Sequence, residues 1–171
     1  MSKKIKKVND AKSMIEYTSR DYGQEYIMKK KMIRAIVLSV ILCIALAVFI
    51  GLYIDETKKF QEKCRSQFIT CLEKVNGDID SYTNADGDLD FRYRRLVADM
   101  NSVCSFAFLM KDFEEHQKSV NELYTVLLKY PEQMKGKMSE LKTAVEDMKA
   151  NLDKGFEEAD AIVDSINKKG Y

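Results

Sequence analysis

Residues 35–54 read AIVLSVILCIALAVFIGLYI, twenty positions without a charged side chain. At ~1.5 Å of rise per residue a helix of that length covers roughly 30 Å, the hydrocarbon thickness of a bilayer, and a single helix satisfies its own backbone there. The stretch reads as a transmembrane helix. Lys29, Lys30, Lys31 and Arg34 precede it, and Asp55 and Glu56 follow it. Basic residues gather on the cytoplasmic flank of membrane helices, so this order predicts an N-terminus in the cytoplasm and residues 55–171 outside it. Ala45-Leu46-Ala47 has the small-x-small form of a signal-peptide cleavage site. The apolar run continues seven residues past it and follows a 34-residue leader, which favours an uncleaved signal-anchor.

Charge divides in the same way. Residues 1–34 hold ten Lys or Arg and four Asp or Glu, whereas residues 55–171 hold eighteen and twenty-three, so the net charge of +1 averages a basic tail and an acidic exterior. The tail is too short to bury a core and reads as mobile. Its lysines suit an anionic inner leaflet. They lack the interleaved aromatic side chains of a nucleic-acid platform, so no nucleic acid is expected as a partner.

Within the run, Ala35, Ser39, Cys43, Ala47 and Gly51 recur at every fourth position. Helices in lipid have little hydrophobic drive to associate, and small residues that let backbones approach favour packing. The row predicts self-association or a membrane-protein partner.

Beyond residue 56 the apolar residues follow helical spacing in three stretches. The first is Phe60, Cys64, Phe68, Cys71, Val75, Ile79 and Tyr82. The second is Leu89, Tyr93, Leu96, Met100, Val103, Ala107 and Met110. The third begins Met134, Met138, Leu141, Val145 and Met148, and continues through Leu152, Phe156, Ala159, Val163 and Ile166. Steps of three and four keep one face inward, as in bundles and coiled coils. The fold class is therefore read as all-α: a single transmembrane helix continuing into an extracytoplasmic, antiparallel, coiled-coil-like bundle of three to four helices. The domains are a basic tail (1–34), the span (35–54) and the bundle (55–171).

Residues 76–88, NGDIDSYTNADGD, suggest a turn near 84, with Asp86 or Asp88 capping the next helix. Pro131 suggests a second break near 130, with Glu132 in the first turn that follows. A continuous helix over 88–129 would be ~63 Å long against ~40 Å for the helix leaving the membrane, and running antiparallel it would enter the bilayer. A break or kink is expected at 111–113, where Asp112 and Glu115 resemble a capping pair. Residues 103–110, VCSFAFLM, are apolar nearly all round and call for neighbours on several sides. Gly136 and Gly155 read as interior positions of the last helix.

Chemistry-bearing motifs are sparse. Cys64 and Cys71 are two helical turns apart, too far to pair; Cys64 with Cys104 is the better geometric candidate for a disulfide, against the plainer reading of buried fillers. Aligning Gly87 with the glycine of an EF-hand loop puts Tyr82 and Tyr93 where carboxylates belong, so the acidic segment is not a standard calcium loop. His116, the single histidine, sits among Glu114, Glu115 and Gln117 and reads as solvated. No GxSxG, HExxH or phosphate-binding glycine loop occurs, and the chain reads as non-enzymatic, with no cofactor, metal or small-molecule substrate identified.

The layout of basic tail, single span and helical exterior is similar to that of bacterial cell-division bitopic proteins and chemoreceptor ligand-binding bundles, a likeness of architecture alone. The leading functional expectation is a plasma-membrane scaffold whose outer helices bind another component of the cell envelope. The runner-up is a sensor or regulatory subunit with a ligand-binding outer bundle. The absence of any NxS/T acceptor fits a bacterial membrane.

Overall fold

A computed structural model describes the backbone of residues 2–84 and 86–168, and side chains within 23–84 and 86–168. Every regular element among them is helical: α1 (Ser2–Thr83), α2 (Leu89–Leu109), α3 (Glu114–Lys129), α4 (Pro131–Lys135), α5 (Met138–Ala150) and α6 (Phe156–Ser165). The chain divides into two compact units, Met1–Asp55 and Glu56–Tyr171.

In the first unit the backbone is helical from Ser2. Among the described residues one helix, spanning Gly23–Thr83, is long and apolar enough to cross a membrane, and its apolar window has no protein packed around it. Every side chain from 35 to 54 is exposed. An apolar helix without packed neighbours in its own chain is a candidate membrane span.

In the second unit the apolar stripes become a core. Phe68, Leu72, Val75, Leu96, Met100 and Val103 are inaccessible to solvent, as are Leu123, Leu127, Met134, Leu141 and Met148. Helix α2 packs on α3, α3 on α6, and α5 on α6. The second unit's part of α1 meets α2 through named pairs. Gln61 Nε2 donates to Leu109 O at 3.3 Å and its Oε1 accepts from Lys111 N–H at 2.8 Å. Arg95 Nε lies 2.8 Å from Asp78 Oδ1, Arg92 donates to the Ser81 hydroxyl, and the rings of Tyr82 and Tyr93 meet edge to face at 6.0 Å. Toward α5, Lys142 Nζ reaches Asp80 at 2.7 Å.

The breaks near 84, 111–113 and 130 are present, but their chemistry differs from the expected caps. Helix α1 runs on through 76–83, which the Gly/Asn/Asp content suggested was turn. Asp88 starts α2 with a left-handed backbone (φ 58°) and no side-chain cap bond. Asp112 takes the same conformation (φ 58°), and Phe113 occupies the cap position of α3. Pro131 opens α4 as expected, with Glu132 in its first turn.

The final stripe is three helices rather than one. Gly136 follows the last residue of α4, and Gly155 precedes α6 with φ 83°. A Cβ at Gly155 would lie 2.4 Å from Ala144 O and 2.8 Å from the Met148 backbone nitrogen, so glycine is required there both by conformation and by the close approach of α5. The stripe resumes in step after the break, with Leu152 half-buried and Phe156 buried, which is why its period conceals the loop.

Candidate functional site

With that core buried, the informative surface is the apolar part left uncovered. At the start of α2, Leu89 and Phe91 stand exposed, and Leu128 is exposed in the last turn of α3. These two regions are joined by Tyr93, whose buried hydroxyl donates to Leu127 O at 2.6 Å. Burial, with Tyr82 and Glu132 nearby, raises the Tyr93 pKa, so the phenol stays protonated as a structural donor. Beside that bond lies an open groove of about 370 Å³ lined by the apolar or aromatic Tyr93, Val97, Leu127, Leu128 and Pro131 and by the charged Asp90, Arg94, Glu132 and Lys135. Lys135 Nζ lies 2.8 Å from Glu132 and 3.8 Å from Asp90; the hydrogen bond to Glu132 raises the pKa of the ammonium. A lining of apolar side chains with charges of both signs can receive an apolar side chain of a partner segment.

Two buried polar arrangements lie elsewhere in the unit. Asp78 is 2% exposed, has Oδ1 on Arg95 and leaves Oδ2 without a hydrogen-bond partner. Burial, then the neighbouring Asp99 carboxyl, pushes its pKa up to about 6 against the opposing pull of Arg95. Spacing offered no signal for this arrangement, because Asp78 lay in a segment read as turn. His116 is likewise displaced from expectation: it is half-buried, stacked on Phe156 at 3.9 Å with 12° between the planes, and in edge contact with Phe113 at 4.9 Å. Its acidic sequence neighbours masked a contact made across the loop before α6.

Ala35, Ser39, Cys43, Ala47 and Gly51 all lie on α1 and are exposed; a Cβ at Gly51 meets nothing within 4 Å. Lys29 reaches Glu25 at 4.0 Å one turn earlier, and Lys30, Lys31 and Arg34 are exposed. Cys64 and Cys71 are buried and Cys104 half-buried, and all are free thiols, so the structure does not join Cys64 to Cys104. Cys104 instead donates to Val120 O at 3.6 Å, and burial pushes its pKa up to about 11, which keeps it a thiol. Among the described residues no three His, Cys, Asp or Glu side chains converge as metal ligands. No protein-family model matches this chain, and neither the curated proteins nor the solved structures contain a significant match to it.

Proposed function

We propose that the protein is a single-pass membrane-anchored scaffold, inserted through 35–54 with its N-terminus in the cytoplasm, whose outer helices bind another component of a bacterial cell envelope. One observation carries the reading: the second unit buries an apolar core, yet leaves Leu89, Phe91 and Leu128 in water beside a groove lined by apolar and charged side chains. Apolar groups left outside the core, beside charged side chains, are what an association surface requires. The antiparallel bundle belongs to the same proposal. Its support is the sequence of pairs Gln61 with Leu109, Asp78 with Arg95, and Tyr82 with Tyr93, in which the α2 number falls as the α1 number rises.

A photo-crosslinking residue placed in cells at Phe91 or Leu128 is expected to trap one common protein. The adduct should disappear in the double variant Phe91→Asp, Leu128→Asp. The same adduct formed from Glu122, on another part of α3, or its persistence in the double variant, would remove the assignment. The row in the membrane run supports association there as well. Ala47→Ile and Gly51→Ile should weaken crosslinked dimers, because a close backbone approach has no room for the added side chains; unchanged dimers would remove that claim.

A further inference from the structure

The apolar surface of the outer unit has a second, separate part, at the end where α1 enters. Phe60 belongs to the same stripe as Cys64 and Phe68, yet it is 50% exposed where they are buried. The cause is local: the next residue, Gln61, bonds to Leu109 and Lys111, where α2 ends, so nothing from α2 lies beyond it to cover Phe60. At that same end Phe108 is 78% exposed and Leu109 about half so, although both belong to the segment that was expected to be surrounded by neighbours. Three large apolar side chains from two helices are thus exposed near the residues that the Gln61 contacts join.

We infer that this rim is seated in the headgroup layer of the bilayer, with Phe108 reaching the acyl boundary. Three observations favour lipid over a protein as the occupant. The first is covalent reach: six residues separate Phe60 from Ile54, so even a fully extended chain holds the rim within about 21 Å of the end of the apolar run. The headgroup layer itself adds roughly 5–7 Å on each side of the hydrocarbon. The second is shape. Phe60 projects from α1 and Phe108 and Leu109 from the end of α2, and the groove that Phe108 lines with Cys104, Ser105, Gln117 and Asn121 includes neither Phe60 nor Leu109, which suits a soft planar solvent better than a shaped partner. The third is charge. Lys58, Lys63 and Lys111 stand close in sequence to Phe60 and Leu109, as do Glu56, Glu62 and Asp112, matching headgroups that carry phosphate and ammonium together.

The chain contains no tryptophan, so Phe108→Trp and, at the opposite end of α2, Phe91→Trp each introduce a single probe at an exposed position. Each full-length variant is reconstituted into phosphatidylcholine vesicles with ordinary acyl chains, or with chains brominated near the headgroup. The expected result is blue-shifted emission from position 108 that brominated lipid largely quenches, with water-like, unquenched emission from position 91. Unquenched emission at 108 overturns the inference. A blue shift without quenching also overturns it, since a protein or a second copy then covers the rim. Equal quenching at both positions overturns it as well, because the contact is then not specific to this end. The inference rests on 35–54 crossing the bilayer, which carbonate extraction of the same vesicles tests separately: release from the membrane defeats the anchor, whereas retention with an unquenched probe defeats only the seating of the rim.

Discussion

Leu42 and Leu72 are both interior residues of α1, yet Leu42 is 61% exposed and Leu72 is fully buried. The difference lies in what surrounds them on the helix. Leu38, Ser39, Ala45 and Leu46, three and four positions from Leu42, are apolar or small, and no charge lies within the whole run. Leu72 shares its face with Phe68, Val75 and Ile79, while Glu73 and Lys74 turn outward. A helix apolar on every side has the pattern of a membrane span or of a helix enclosed on all sides, whereas a striped helix needs only partners along one face. The same residue type therefore reports two different environments within one element.

The largest expected effect comes from the striped region. Phe68→Ala removes a side chain with no solvent exposure that meets the Phe113 ring at 5.5 Å, and should cost the outer unit about 3–5 kcal/mol. Leu42→Ala should leave that stability unchanged. Urea unfolding of the reconstituted chain, followed by the outer unit's helical signal, reads both; equal losses would erase the distinction between the two leucines.

Within the run the sensitivity is reversed, and charge matters more than volume. Ile44→Lys places a cation at the middle of 35–54 and should disfavour insertion by about 2.5–3.5 kcal/mol. The measurement is the fraction of chain resisting carbonate extraction. Full retention of the lysine variant would argue that the run does not lie in lipid.

A pair of glycines sharpens the contrast at smaller cost. Gly155→Ala forces a left-handed backbone on alanine and meets α5 at 2.4 Å, so a loss of at least about 1–2 kcal/mol is expected. Gly77 lies in α1 with open space where a Cβ would stand, and Gly77→Ala should stabilise by about 0.5–1 kcal/mol. Thermal unfolding of the two variants should shift in opposite directions, and a shared direction would contradict the local geometry.

A further expected effect is the pH dependence at Asp78. Its pKa rises from 3.8 to about 6 on folding, so between these values the folded protein holds a proton that the unfolded chain has released. The stability from this group is complete below the unfolded value and is lost as the pH rises through about 6. Burial is the largest cause of the rise, and Arg95, 59% exposed and screened by water, opposes it only weakly, so about 1–3 kcal/mol is expected. Asp78→Asn should lose less stability than the parent between about pH 4 and about pH 7. Parallel pH profiles would show that the carboxyl does not titrate in that window.

Much of the helical organisation was legible along the chain because its signals are local. Pro131 ended one helix and began another through its own ring, and the break at 111–113 was expected from helix length. The loop before α6 was not legible, since Leu152 and Phe156 stay in step across it and periodicity records facing rather than continuity. The stacking of His116 on Phe156 and the burial of Asp78 between α1 and α2 were hidden for a related reason: both depend on residues far away in the chain.

The charge-free length of 35–54, its basic and acidic flanks and the helical period of the outer stripes are properties of consecutive residues, so they could be read directly from the chain. Which apolar side chains stay uncovered by protein is a property of where other helices end. Phe60 and Phe68 occupy one stripe with the same side chain, and they differ because α2 stops beside Gln61, leaving the first without a neighbour and the second enclosed.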